Sequence, residues 1–225
     1  MKLSIIIPVY NEKATLVEIL RRVQVTPYEK EIIIVNDGST DGTKELLENL
    51  AESLNNIFLI HHEKNKGKGA AIISSIGKIK GDLTVIQDAD LEYDPHDYEV
   101  LIEPFKNDYV QVVYGSRNLK ENARSTFSFY WGGRFLSWIT NLLYGSKVTD
   151  ESTGYKVFRT SLLKDLDLKS TGFDFCPEVT AKILRRKIKI YEVPISYTPR
   201  LWHEGKKIRW IDGLTATWVL LKHRF

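Results

Sequence analysis

The feature that most constrains the fold of this chain is an alternation of short apolar runs with amphipathic helical patterns. The first helical pattern places Leu16, Ile19, Leu20 and Val23 on one face. Strands that alternate with helices are typical of βαβ units and of a parallel sheet flanked by helices. We therefore predict an α/β fold with a mostly parallel, Rossmann-like sheet and a C-terminal helical extension. The predicted strands cover residues 3–9, 31–36, 56–61, 83–87, 110–114 and 188–197, and the predicted helices cover 13–24, 43–53, 68–79, 126–144, 178–186 and 213–224.

Three further features limit the class of protein. Cys176 is the single cysteine, so an intramolecular disulfide is impossible and a reducing cytoplasm is expected. The first residues lack the pattern of a signal peptide, and no run of about 18 uncharged apolar residues predicts a membrane span. The length of 225 residues suits one globular domain. We expect a cytoplasmic domain, with peripheral contact at the inner face of the membrane if its acceptor is a lipid.

The net charge of +3 conceals an uneven distribution. Residues 182–225 carry 11 Lys and Arg against 3 Asp and Glu, whereas residues 1–181 carry 21 against 26. A basic C-terminal segment is either a solvated face or a surface that meets anions such as a diphosphate, a lipid phosphate or an acidic membrane. The sequence lacks RNP, zinc-finger and helix-turn-helix patterns, so no nucleic-acid partner is expected.

Carboxylates follow three of the predicted strands at the point where each strand ends. Glu12 follows the first, Asp37 the second, and Asp88 and Asp90 the fourth. Ligands of open parallel sheets bind at this edge, so these side chains are expected to meet there. Carboxylates at positions i and i+2 suit Mg²⁺ or Mn²⁺, with diphosphate oxygens and waters completing the coordination. The alternative for Asp88 and Asp90 alone is a turn that caps the next element.

Several motifs of the chain resemble a known family. Those of the first half are IIPVYNE at 6–12, VNDGSTDGT at 35–43, NKGKG at 65–69 and QDAD at 87–90. These resemble family 2 glycosyltransferases of the GT-A fold. Those of the second half are VYGSR at 113–117, DESTGYKVFR at 150–159 and EGKKI at 204–208. These are similar to the branch that transfers sugars to dolichyl or polyprenyl phosphate.

The resemblance implies a role for each matching residue. The set that it implies for the nucleotide-sugar is Pro8, Tyr10, Glu12, Asp37, Gly67, Lys68, Asp88 and Lys206. It assigns the metal to Asp88 and Asp90. A carboxylate at Asp37 can accept from a base imino group, whereas Tyr10 could also be packed in the core. Lys206 lies in a basic loop similar to one that closes over the donor diphosphate in this branch. The resemblance also divides the single domain into a nucleotide-sugar half, 1–117, and an acceptor half, 118–225.

Two positions depart from the family pattern. The family often has two aspartates where this chain has Asn36 and Asp37, so only Asp37 inherits the role of reading the base. Glu92 stands where the branch often has an aromatic or glutamine-like residue after the metal motif. A carboxylate at that position could touch the metal or face solvent.

The candidates for acceptor binding are Arg117, Arg134 and Ser137. Arg134 is the only charged residue in the segment 126–144 and shares a helical face with Ser137. An arginine in apolar surroundings needs an anionic partner, which could be a phosphate or a structural carboxylate such as Asp150. The candidates for catalysis are Asp90, Asp150 and Arg117.

The sequence does not decide whether two sets of apolar residues in predicted helices are covered by protein or by lipid. The first has Phe127, Phe129, Trp131, Phe135 and Trp138, and the second has Leu214, Trp218, Leu221 and Phe225. Each could be packed on the core or lie at a bilayer interface, where aromatic rings are favoured.

The resemblance implies transfer of a hexose from a nucleotide-sugar of the GDP-mannose or UDP-glucose type, with inversion, to a polyprenyl phosphate. Transfer to a sugar hydroxyl is the alternative, and it would require Asp150 or Glu151 as a base. A nucleotidyltransferase is disfavoured because no glycine-rich loop follows the first strand. An oxidoreductase is disfavoured because the Gly-x-Gly-x-x-Gly pattern is missing there. A non-catalytic nucleotide-binding protein is disfavoured by the intact carboxylates.

Overall fold

The computed structural model describes residues 1–123, 127–200 and 210–225, apart from the side chains of residues 127, 128 and 210. Within this part, seven strands form one sheet in the order β3-β2-β1-β4-β6-β5-β7. The strands are β1 (Leu3–Val9), β2 (Lys30–Asn36), β3 (Ile57–His61), β4 (Leu83–Ile86), β5 (Val112–Ser116), β6 (Lys156–Arg159) and β7 (Tyr191–Pro194). Only β6 among them runs antiparallel to its neighbours, between β4 and β5. The prediction of a mostly parallel sheet is confirmed.

Helices flank the sheet on both faces. They are α1 (Leu16–Gln24), α2 (Thr43–Ser53), α3 (Lys68–Ile76), α4 (Tyr98–Ile102), α5 (Phe127–Tyr144), α6 (Thr160–Asp165), α7 (Phe175–Arg185) and α8 (Trp210–Arg224). Two short 3₁₀ segments, Pro95–Asp97 and Glu103–Lys106, adjoin α4. None of these helices combines the length and the apolar character that crossing a bilayer requires.

The central strands are buried on both faces, as continuous apolar runs in a parallel sheet should be. Side chains of β1 alternate between two cores: Ile5 and Ile7 pack with the apolar face of α1, whereas Ile6 packs with Ile72 of α3. The carboxyl ends of β2, β1 and β4 therefore lie side by side at the sheet edge, where the predicted carboxylates follow.

The structure corrects several predicted boundaries. The first helix begins at Leu16 rather than at residue 13, and the last begins at Trp210 rather than at residue 213. The helix predicted to begin at 178 starts at Phe175, since Pro177 lies in its first turn, where a proline is tolerated. The strand predicted over 188–197 is only Tyr191–Pro194. Short α4 and α6 were not predicted, because elements of this length depend on tertiary packing.

Candidate active site

A cleft of about 830 Å³ opens at the carboxyl ends of β1, β2 and β4. Most of the predicted site residues line it, namely Pro8, Tyr10, Glu12, Asp37, Gly67, Lys68, Asp88, Asp90 and Arg117. Asp150 lies behind Arg117, while Arg134 and Ser137 line a second, smaller cavity. Lys206 lies outside the described residues. The structure thus joins the predicted nucleotide-sugar and metal residues in one place and separates two of the acceptor candidates from it.

The acidic floor of the cleft is formed by Asp88, Asp90 and Glu92. Asp90 accepts the backbone N–H of Glu92 at 3.0 Å. Burial, together with the neighbouring carboxylates of Asp88 and Glu92, raises the pKa of Asp90 to about 7. Neighbouring carboxylates repel one another when they are ionised, and a bound cation relieves this repulsion.

A divalent ion fits the donor set of this floor. Within the described part of the chain, no group of three or more His, Cys, Asp or Glu side chains could hold a metal by itself. The two aspartates are hard oxygen ligands that suit Mg²⁺ or Mn²⁺ when substrate phosphate oxygens and waters complete the shell. Glu92 lines the cleft and is half-buried, and its carboxylate accepts the backbone N–H of Arg200 at 2.7 Å and the hydroxyl of Tyr197 at 3.3 Å.

Lys68, the first residue of α3, is paired with Asp88. Its Nζ lies 2.5 Å from Oδ1 and 2.8 Å from Oδ2 of that carboxylate. Gly154 packs directly over the pair, and a Cβ at that position would collide with Asp88 Oδ2. The ammonium therefore neutralises one of the two predicted metal ligands.

Asp37 is buried at the end of β2 and holds the loop that follows β3. Its Oδ1 accepts the backbone N–H of Lys66 at 2.8 Å, and its Oδ2 accepts that of Gly67 at 2.8 Å. His62 Nδ1 lies 2.7 Å from Oδ1, and its Nε2 lies 2.8 Å from the hydroxyl of Ser74 on α3. A carboxylate has further lone pairs, so Asp37 can still accept from a ligand in the cleft. The sequence pattern does not single out His62.

Glu12 forms an ion pair with Arg200, a residue that the sequence prediction did not select. The two guanidinium nitrogens Nη2 and Nη1 donate to Glu12 at 2.6 Å and 3.2 Å. Nε of Arg200 also donates to the backbone carbonyl of Asp90 at 2.9 Å. Arg200 thus ties the end of β1 to the acidic floor. The only sequence signal for it was its position at the start of the basic segment 200–207.

Arg117 follows β5 and lies at the edge of the cleft. Its Nε and Nη2 donate to the Asp150 carboxylate at 2.7 Å and 2.6 Å, and Nη2 also donates to the Ser152 hydroxyl at 3.0 Å. The ring of Tyr197 lies 5.1 Å from the guanidinium carbon. The guanidinium also lines the cleft, where it can contact a ligand.

Glu151 lies at the lining of the cleft and is hydrogen-bonded through its backbone to Ser137 of α5. Both carboxylate oxygens of Glu151 are buried without a hydrogen-bond partner in the described part of the chain. Thr180 is close to Glu151, but its hydroxyl pairs with that of Tyr114 at 2.9 Å. Burial raises the pKa of Glu151 and outweighs the nearby ammonium of Lys156. The Ser137 hydroxyl donates to the Gly133 carbonyl and accepts the backbone N–H of Glu151. It therefore already acts as a hydrogen-bond donor and as an acceptor within the protein.

Arg134 is exposed and lines the second cavity, of about 430 Å³. Lys147 and Asn118 lie on the same wall, and the ring of Tyr130 lies 5.9 Å from the Arg134 guanidinium. This arrangement places the positive charge of Arg134 on the outer side of α5, away from the lining of the main cleft.

Comparison with known proteins agrees with this geometry. The profile of Glycosyl transferase family 2 matches residues 4–167. The chain belongs to this family. This glycosyltransferase is 35% identical over 210 residues to a UDP-N-acetylglucosamine–dolichyl-phosphate N-acetylglucosaminyltransferase of Methanococcus voltae, covering 85% of this chain and 83% of the relative. It is 28% identical to the undecaprenyl-phosphate mannosyltransferase of Micrococcus luteus, over 100% and 99% of the two chains.

A solved structure confirms the predicted GT-A fold of this glycosyltransferase. Glucosyl-3-phosphoglycerate synthase of Mycobacterium tuberculosis, crystallised with Mn²⁺, UDP-glucose and phosphoglyceric acid, matches it with a TM-score of 0.75 and 19% identity. The match covers 99% of this chain and 79% of the other. The arrangement of sheet and helices is therefore that of the GT-A fold.

Proposed function

We propose that this glycosyltransferase uses Mg²⁺ or Mn²⁺ to transfer a hexose, with inversion, from a nucleotide-sugar of the GDP-mannose or UDP-glucose type to a polyprenyl phosphate. One observation carries the proposal: a single cleft joins the acidic floor at Asp88 and Asp90 to Arg117 and to the helices α5 and α8. Relatives named for dolichyl phosphate and undecaprenyl phosphate support the class of acceptor.

The donor is assigned to the half of the chain that contains the acidic floor. Asp88 and Asp90 would hold the metal ion, which when bound offsets the negative charge of the departing nucleotide diphosphate. Asp37 accepts an N–H group of the base, and the loop that Asp37 fixes lets the backbone at Gly67 approach the base closely. Gly67 has a φ of 98°, which a side chain would strain.

The acceptor phosphate is assigned to the neighbourhood of Arg117. A phosphate monoester has a second pKa near ~6 and is mostly dianionic at neutral pH, so it attacks without a protein base. The guanidinium of Arg117, which lines the cleft, can donate to it. Asp150 is only 1% exposed and already accepts from Arg117, so it positions the guanidinium and is poorly placed to remove a proton from a sugar hydroxyl. This pairing favours a phosphate acceptor over a hydroxyl acceptor.

The outer faces of α5 and α8 suit a membrane surface. On α5 the exposed apolar side chains are Trp131, Phe135, Trp138 and Leu142. On α8 they are Ile211, Leu214, Trp218 and Leu221, with Lys222 and Arg224 beside them, and Phe225 follows the helix. These apolar residues of α8 are therefore exposed rather than packed on the core, with Leu214 at the cleft, while Val219 and Leu220 are buried against the protein. Exposed aromatics with adjacent cations are typical of helices that lie at a bilayer interface.

Product analysis with the purified enzyme tests the proposal. The enzyme is incubated with UDP- and GDP-sugars, Mn²⁺ and polyprenyl phosphate, and the lipid fraction is examined for sugar. Lipid-linked sugar should form together with a free nucleoside diphosphate. EDTA, Asp88→Asn and Asp90→Asn should each abolish it, whereas Asp108→Asn should not, since Asp108 is fully exposed. Release of pyrophosphate, or full activity in EDTA, would contradict the proposal.

A further inference from the structure

The pairing of Lys68 with Asp88 places an ammonium on a predicted ligand of the metal. Nζ contacts both carboxylate oxygens, at 2.5 Å and 2.8 Å. The two side chains are 17% and 14% exposed, so the pair is only partly screened by water. A divalent ion that binds Asp88 would lie close to the ammonium of Lys68, and the two positive charges would repel each other.

The ammonium can leave Asp88 without disturbing the fold. It is the end of a long side chain, and no other hydrogen bond holds it in the described part of the chain. Lys68 is the first residue of α3, after Gly67, so its main chain is fixed next to the loop held by Asp37. Rotation of the side chain moves Nζ within the cleft while the backbone stays in place.

We propose that Lys68 acts as an exchangeable counter-ion: it neutralises Asp88 in the free enzyme and transfers to the donor diphosphate when the metal binds Asp88. This rests on the proposed function, which places the metal at Asp88. The diphosphate brings negative charge into the cleft, so the ammonium exchanges one anion for another and is never left unpaired. The free enzyme consequently binds the metal weakly, and metal and nucleotide bind together.

Measurements of binding, without turnover, test the exchange. Mn²⁺ affinity of the free enzyme is measured from the electron paramagnetic resonance signal of unbound Mn²⁺. Affinity for UDP and GDP is measured separately in EDTA by calorimetry. Lys68→Met should bind Mn²⁺ at least about tenfold more tightly than wild type, the scale of one charge-assisted hydrogen bond. The same variant should bind the nucleoside diphosphate about tenfold more weakly without metal.

Two further variants make the test decisive. Lys68→Gln is also neutral but can still donate to Asp88, so it guards against misfolding of the methionine variant, and it should change both affinities in the same directions. Lys78→Met removes an exposed lysine from the region after α3 and should change neither affinity. Unchanged or weaker Mn²⁺ binding by both Lys68 variants would overturn the exchange and leave the proposed function intact. If wild type and variants bound no Mn²⁺ even with nucleotide, the metal part of the proposed function would fail as well.

Discussion

The Asp150 carboxylate holds the Arg117 guanidinium at the edge of the cleft through two hydrogen bonds of 2.7 Å and 2.6 Å. A third bond, from the Arg117 backbone N–H to Asp150 Oδ2, fixes the main chain as well. Burial alone would lower the pKa of Arg117, but the Asp150 carboxylate outweighs it and raises that pKa well above its usual value. Arg117 is therefore a permanent, oriented cation at the lining of the cleft.

The first prediction concerns this pair. Arg117→Ala should raise the acceptor KM at least about tenfold, because a charge-assisted hydrogen bond is lost, and leave donor affinity nearly unchanged. Asp150→Asn should also raise the acceptor KM, since the guanidinium loses its anchor. Steady-state kinetics with separate titration of donor and acceptor measure both effects. Arg22→Ala, on the surface of α1, is the control. A loss of kcat in Asp150→Asn at unchanged acceptor KM would instead indicate a base that acts on a hydroxyl.

The second prediction concerns reading of the base by Asp37. Asp37→Ala should weaken binding of the nucleoside diphosphate by about 1.5–3 kcal/mol, the range for hydrogen bonds to a charged group. His62→Leu should weaken it in part, because the carboxylate loses the ring N–H that orients it. In His62→Asn the side-chain amide can replace Nδ1, so most of the affinity should return. Calorimetry measures the three dissociation constants. Equal affinity in wild type and Asp37→Ala would remove Asp37 from the nucleotide site.

The third prediction follows from the raised pKa of Glu151. When the folded-state pKa of a carboxyl exceeds its unfolded value, the free energy of unfolding falls as pH rises above the unfolded value, which is 4.5 for Glu. Glu151→Gln removes this loss, because its amide never ionises. The free energy of unfolding of the variant should equal that of wild type at acid pH. As the pH increases towards 8, the variant should become the more stable of the two proteins. Urea denaturation at several pH values measures the difference, and the exposed Glu121→Gln should show no such trend. A pH-independent difference would contradict a raised pKa of Glu151.

The fourth prediction concerns the exposed faces of α5 and α8. Trp138→Ser and Trp218→Ser should each weaken attachment to anionic vesicles about fivefold, because each removes a half-exposed apolar side chain that lipid would cover. Tyr109→Ser is the matched control, since Tyr109 is an exposed aromatic residue outside both helices. Sedimentation with the vesicles measures attachment, and added salt should reduce it through the basic residues. Attachment that is equal in all variants would place the membrane contact elsewhere.

Much of the site could be predicted because its residues follow buried strands directly. The apolar runs before Asp37 and Asp88 determine that both carboxylates end strands, and strands of a parallel sheet bring their ends to one edge. The resemblance to family 2 glycosyltransferases implied Pro8, Tyr10 and Gly67 for the same site, and the structure places them in the cleft. The antiparallel β6 between β4 and β5 could not be predicted in this way, since four residues carry too little pattern to fix a direction.

The sequence by itself determined which chemical groups stand at the ends of the strands, because hydrophobic periodicity acts over a few residues. Only the tertiary structure decided which of those groups are paired. Arg200 meets Glu12 across 188 positions of sequence, and Arg117 meets Asp150 across 33. The tertiary structure also decided that Trp218 is exposed. The sequence pattern of an apolar helical face is the same whether protein or lipid covers that face. Pairing and exposure depend on how distant elements pack, and local patterns carry no information about that.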